Sequence, residues 1–260
     1  MYSYFYQILE YLILCVVAFF AGFMDAIVGG GGLLQMPALL ILFPHLPFAT
    51  IVGTSKIPAI SGTSFAAYKY SKQVLFDWKF LIKMLSAAFL GALLGSYSIT
   101  FIDNKTIKPI VLIVLILVAV YTYTQKSFGV QQEKLISQKK QLLYGIFFGF
   151  IIGFYDGLIG PGTGTFFILV FIAFLGKDFL HASANAKILN VATNLASLIY
   201  LGSTNHIIFK YAIPMAFFNI LGSFFGTRLA LLKGNNFVRI FFLVVVFATI
   251  LRFAYDIFWK

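Results

Sequence analysis

GFMDAIVGGGGLLQMPALL (residues 22–40) and GFYDGLIGPGTGTFFILVF (residues 153–171) are two versions of one pattern. Each sets an acid, Asp25 or Asp156, inside an apolar run, meets a glycine cluster four residues later, and then resumes as an apolar segment. Helix does not readily continue through Gly29-Gly30-Gly31-Gly32 or through Gly160-Pro161-Gly162-Thr163-Gly164, because glycine loses the most backbone entropy and proline lacks an N–H. The segments beyond the breaks, 33–43 and 165–175, hold about 16 Å of helix each, roughly half the hydrocarbon thickness of a bilayer. They read as half-spans.

One offset of 131 residues relates the two halves without a gap. It superimposes Asp25 on Asp156, Gly29 on Gly160, Gly31 on Gly162, Lys56 on Lys187, Gly91 on Gly222 and Gly95 on Gly226. The chain therefore reads as a duplicated unit of about 125 residues, with repeats over 1–124 and 142–260 joined by a polar linker at 125–141.

The surrounding composition fits a bilayer. Of the 260 residues, 61% are hydrophobic and 10% charged, against about 45–50% and about 25% in soluble domains. Runs long enough to cross a membrane fall at 5–28, 50–70, 78–101, 107–124, 142–159, 181–202, 208–232 and 237–259. With no basic n-region ahead of it, the first run reads as a retained span and not as a cleaved signal. Trp78 and Trp259 sit at span ends, as interface anchors do.

A net charge of +11 could suggest nucleic acid, but Lys and Arg lie in loops between apolar runs and form no single solvated face, so no nucleic-acid partner is expected. They report orientation instead. If the half-spans count as crossings, each repeat has five segments and the second copy is upside down, which puts twelve Lys and Arg on one side and five on the other. If the half-spans are re-entrant, each repeat has four crossings and the bias weakens. The expected fold is thus an all-α polytopic membrane protein of two inverted repeats.

Four charges remain at membrane depth: Asp25, Lys56, Asp156 and Lys187. A charge there costs at least about 2.5–3.5 kcal/mol, so each needs a partner or a watery cavity. One reading is structural, an ion pair within each half, Asp25 with Lys56 and Asp156 with Lys187. The other is functional. A half-helix that starts after a glycine break points unpaired N–H groups and a positive dipole end at its surroundings, and two such ends with two lysines make a site for an anion. Asp25 and Asp156 then hold the lysines or carry coupling protons. After Lys187, residues Asn190, Asn194 and Ser197 form a polar stripe that faces a lumen or another helix.

No phosphate-binding Gly-Lys-Ser/Thr loop, no Gly-x-Ser-x-Gly and no His-Glu-x-x-His occurs, so the chain is not expected to be an enzyme. His45, His181 and His206 are widely spaced and Cys15 is alone, so neither a metal nor a disulfide is expected. The oligomeric state is not set by these features.

At the residues just described, the sequence resembles the TauE/SafE family of membrane transporters, also called the sulfite exporter or TSUP family. The carrying stretches are AGFMDAIVGGGGLLQMPALL with VGTSK, and GFYDGLIGPGTGTFFIL with ASANAKILNVATNLASLI. The resemblance implies a multi-pass protein of the bacterial inner membrane that moves small anions such as sulfite, sulfoacetate and other organosulfonates, without a cofactor. It also implies that Gly29, Gly30, Gly31, Gly32, Ser55, Lys56, Gly160, Gly162, Thr163, Gly164, Asn185, Lys187 and Asn190 line the substrate region. Ser55 departs from the Asn that members often carry there. An anion channel and a non-transporting membrane component are the alternatives.

Overall fold

The computed structural model describes residues 2–102, 113 and 137–258, and every regular element among them is a helix. In order these are α1 (Tyr2–Val28), α2 (Gly32–Leu42), α3 (Phe48–Ser71), α4 (Trp78–Ile99), α5 (Gln138–Leu158), α6 (Thr163–Ala173), α7 (Phe179–Ser203) and α8 (Phe209–Phe258). Apart from residue 113, the span expected at 107–124 and most of the expected linker lie outside the described residues.

Both helix breaks fall where the glycine clusters are. Gly29 (φ 78°) ends α1, and Gly160 (φ 92°) and Gly162 (φ 82°) separate α5 from α6, all in the left-handed region that side chains with a Cβ rarely enter. The half-spans α2 and α6 have 11 residues each. Among the described residues, four helical stretches are long and apolar enough to cross a membrane: Gln7–Val28, Trp78–Ile99, Gln138–Leu158 and Phe209–Leu232. α3 and α7, at 24 and 25 residues, have the length but spend it on buried polar side chains.

One expectation fails. Spans at 208–232 and 237–259 were to be separated by Lys233-Gly234-Asn235-Asn236, yet α8 runs unbroken through that stretch. A single glycine costs a helix only about 1 kcal/mol, and no proline is present there to remove a hydrogen bond.

Packing follows the offset of 131. Gly22 of α1 lies against Asn219 of α8, and Gly153 of α5 lies against Ala88 of α4. Gly222 meets Phe19 and Gly91 meets Phe150, while Gly226 meets Phe23 and Gly95 meets Phe154. Every partner is displaced by the same number, so α1 packs on α8 as α5 packs on α4. Glycine at these crossings lets backbones approach where a Cβ would strike a carbonyl.

The contacts also fix direction. α1 and α8 run the same way, since Tyr11 stacks on Tyr211 and Phe19 on Phe225. α3 runs with α8, through Thr54 to Ile208 and Phe65 to Phe224. α7 opposes α3: Gly53 lies beside Leu201, while Ala66 and Tyr70 cluster with Ala184 and Leu180. α4 pairs in register with α5, from Gly145 at Phe80 to Gly157 at Ala92, and Tyr97 on Tyr200 aligns α4 with α7.

The helices are apolar on both faces, as membrane spans are. On α1, Leu14, Ala18, Ala21 and Met24 are buried while Ile8, Leu12, Val16 and Phe20 point outward. α7 starts at a capped end, where the Asp178 carboxylate accepts from the His181 amide (3.0 Å) and lies 2.5 Å from its ring Nδ1. Burial pushes the Asp178 carboxyl up, but the His181 amide and ring outweigh it and hold it below its ordinary value. Because the folded value is the depressed one, this cap stabilises at neutral pH and is lost as pH falls through that value. Asp178→Ala is expected to cost about 0.5–2 kcal/mol in thermal unfolding at pH 7, with a smaller difference from wild type in acid.

Candidate functional site

α1 and α5 each end within a turn of their acid; the Asp156 carbonyl is left without a helical amide, whereas the Asp25 carbonyl accepts from the Gly29 amide (2.8 Å). A lysine of the opposite half reaches each carbonyl. Lys56 Nζ donates to the Asp156 carbonyl (2.8 Å) and lies 3.1 Å from Asp156 Oδ2. Lys187 Nζ donates to the Asp25 carbonyl and lies 3.3 Å from Asp25 Oδ2. The within-half pairs, Asp25 with Lys56 and Asp156 with Lys187, do not form. At Asp156 the Gly160 amide bonds back to Tyr155 O (3.1 Å) instead of to Asp156 O, which leaves that carbonyl to Lys56, whereas the Asp25 carbonyl accepts from both the Gly29 amide and Lys187. A cation at a helix C-terminus also meets the negative end of its dipole.

The acids are braced differently. Thr63 of α3 donates to Asp25 Oδ2 (2.8 Å), whereas Thr163, first residue of α6, donates to Asp156 Oδ1 (2.8 Å). The breaks interlock, since Thr165 donates to Val28 O (2.6 Å) and the Gly29 and Gly164 backbones touch.

Between these elements lies a cavity of about 40 Å³, on the measure by which one water needs about 10–15 Å³. It holds roughly three waters, or one small ion. Of the sequence candidates, Asp25, Gly29, Gly31, Gly32, Ser55, Lys56, Asp156, Gly160, Gly162, Thr163, Gly164 and Asn190 line it. Gly30, Asn185 and Lys187 do not. Asn185 turns back to His181 O (2.7 Å), and Lys187 is fully buried against Asp25.

Three amides complete the wall: Gln35, Asn194 and Asn219. Gln35 donates to Ser55 O (2.8 Å) and accepts from Asn219 (3.3 Å), which ties α2, α3 and α8 together at the cavity. Gln35 and Asn219 escape a sequence reading built on the repeat, because the offset places Phe166 and Ala88 opposite them. Their signal is a lone amide at depth in an apolar run. Asn194 is legible through the stripe it shares with Asn190, to which its amide donates.

Chemically the site is formally neutral, two ammonium groups against two carboxylates, and its positive potential comes from the starts of α2 and α6. Neutral amides and hydroxyls supply further donors. Among the described residues no group of three or more His, Cys, Asp or Glu could hold a metal.

The model of the family described as "Sulfite exporter TauE/SafE" matches residues 14–253. The chain belongs to that family. TauE/SafE relatives are similar over nearly their whole length. A "Probable membrane transporter protein" of Haemophilus influenzae is 32% identical over 247 residues, covering 95% of each chain. "Probable membrane transporter protein ORF9" of Sinorhizobium sp is 31% identical, covering 94% of this chain and 92% of its own. "Probable membrane transporter protein YfcA" of Escherichia coli is 30% identical, covering 94% of this chain and 89% of its own. No solved structure matches. Membership makes this a membrane transporter and not an enzyme, with a small transported substrate and a lipid environment.

Proposed function

We propose that this TauE/SafE member is a secondary transporter of the bacterial inner membrane that exports a small oxyanion, sulfite or an organosulfonate being the class in view. It works by alternating access of two inverted repeats, 1–124 and 142–260, joined by a cytoplasmic linker at 125–141. The observation that carries the reading is the cavity itself, which combines the starts of two half-helices, a wall of amides and the Lys56 ammonium at membrane depth. Gly29, Gly31, Gly32, Gly160, Gly162, Thr163 and Gly164 supply backbone approach, and Asn190 and Lys56 supply side-chain donors, while Ser55, whose hydroxyl donates to Val52 O (2.7 Å), lines the wall. Lys187 acts from behind the wall by holding Asp25.

Support for inversion comes from helix direction. Related by the offset, α1 and α5, α3 and α7, and α4 and α8 each run opposite ways, which is the relation that rocking-type carriers use around a midplane site. A cavity sized for about three waters suits a carrier that occludes its passenger better than a conducting pore.

Lys56→Gln is expected to lower sulfite exchange flux in proteoliposomes by at least about tenfold, the scale of one lost charged hydrogen bond, while the protein stays folded. Undiminished flux rejects the role of Lys56. Steady conductance in a planar bilayer without exchange would replace the carrier with a channel.

A further inference from the structure

We infer that the Asp156 carboxylate is a built-in competitor for the passenger, occupying at Lys56 the position that the transported anion takes. The inference rests on the anion-carrier reading above and adds the step that admits the ligand.

Its ground is that the two charge pairs, equivalent by the offset, are unequal in the cavity. Lys187 is fully buried, outside the lining, and donates to both the carbonyl and the carboxylate of Asp25. Lys56 lines the cavity, and its directed hydrogen bond goes to the backbone carbonyl of Asp156. The Asp156 Oδ2 atom, 3.1 Å away, is held by charge alone: among the described residues it has no hydrogen-bond partner, although it is buried. Such a carboxylate can leave Lys56 without breaking the structural bond at the carbonyl. Its other oxygen lies 2.8 Å from the Thr163 hydroxyl, whose proton it shares with Gly160 O (2.7 Å).

An incoming anion then finds a lysine already placed at depth, with half-helix starts on either side, and displaces one carboxylate oxygen instead of a hydration shell. When empty, the site keeps its lysine neutralised, which a lone buried ammonium would not be. Four elements face Asp156. α3 brings Lys56, α6 brings Thr163, α4 brings the Ser96 hydroxyl bound to Gly157 O (3.3 Å), and α5 itself brings Tyr155, whose hydroxyl donates to Pro161 O. Across the cavity stands Asp25, paired to Lys187.

The test uses purified full-length protein and methanesulfonate, an anion of fixed charge, with binding read by calorimetry. Asp156→Asn is expected to bind about tenfold tighter than wild type, the scale of one relieved charged contact. Asp178→Asn, which removes a carboxylate outside the cavity lining, should stay within about twofold of wild type. Equal or weaker binding by Asp156→Asn overturns the inference and leaves the carrier reading in place. If that variant does not fold, Asp156→Ser takes its place, and equal or weaker binding by it overturns the inference. No binding by wild type, with sulfite also inert, overturns the anion site itself.

Discussion

Replacing Lys187 with Met will cost about 3–5 kcal/mol of unfolding free energy in detergent, the range for removing one partner of a buried ion pair. The reason is the charge left behind. Lys187 is wholly enclosed, and both the carbonyl and the carboxylate of Asp25 lean on its ammonium. Among the described residues, its loss leaves that carboxylate with the Thr63 hydroxyl as its side-chain donor. The double variant Lys187→Met/Asp25→Asn, which removes both charges, should recover at least about half of that loss, as coupled sites do. Equal unfolding midpoints for single and double variants would mean that packing volume, not charge, is what the site needs.

Gly29→Ala is the second large effect, with an expected loss of about 2–5 kcal/mol from two sources. A left-handed backbone costs a residue with a Cβ about 1–2 kcal/mol, and φ at Gly29 is 78°. That Cβ would also lie 2.6 Å from Gly164 Cα and from Thr165 N, an overlap of backbone on backbone that costs about 1–3 kcal/mol more. Relief would require the start of α6 to move away from the end of α1, breaking the Thr165 bond to Val28 O. Gly32→Ala is the control: its Cβ would sit 3.1 Å from Pro161 Cα, with φ in the ordinary helical region, so a shift of tenths of an ångström accommodates it. Similar losses in the two variants, measured by thermal unfolding, would show that crowding at the breaks is not what sets the fold.

The breaks, the half-spans and the four buried charges are legible in the sequence because each rests on a local rule: glycine interrupts a helix, eleven residues cannot cross, and a charge at depth needs company. Which charges keep company is not local. The offset that makes the repeat visible relates Asp25 to Asp156 and Lys56 to Lys187, but it does not say whether a lysine reaches its own half or the other. That choice depends on the directions of α3 and α7. Gln35 and Asn219 are invisible for a related reason. They break the symmetry of the repeat, and a search for matching positions passes over residues whose counterparts are Phe166 and Ala88. α8 shows the limit of propensity: Gly234 with two asparagines marks a boundary in a polar reading, but nothing there forbids helix.

Because each ammonium is lodged in the acid of the other half, neither half is electrostatically complete when made alone. Severed between residues 125 and 141, the two pieces should accumulate when co-produced and be degraded when produced singly.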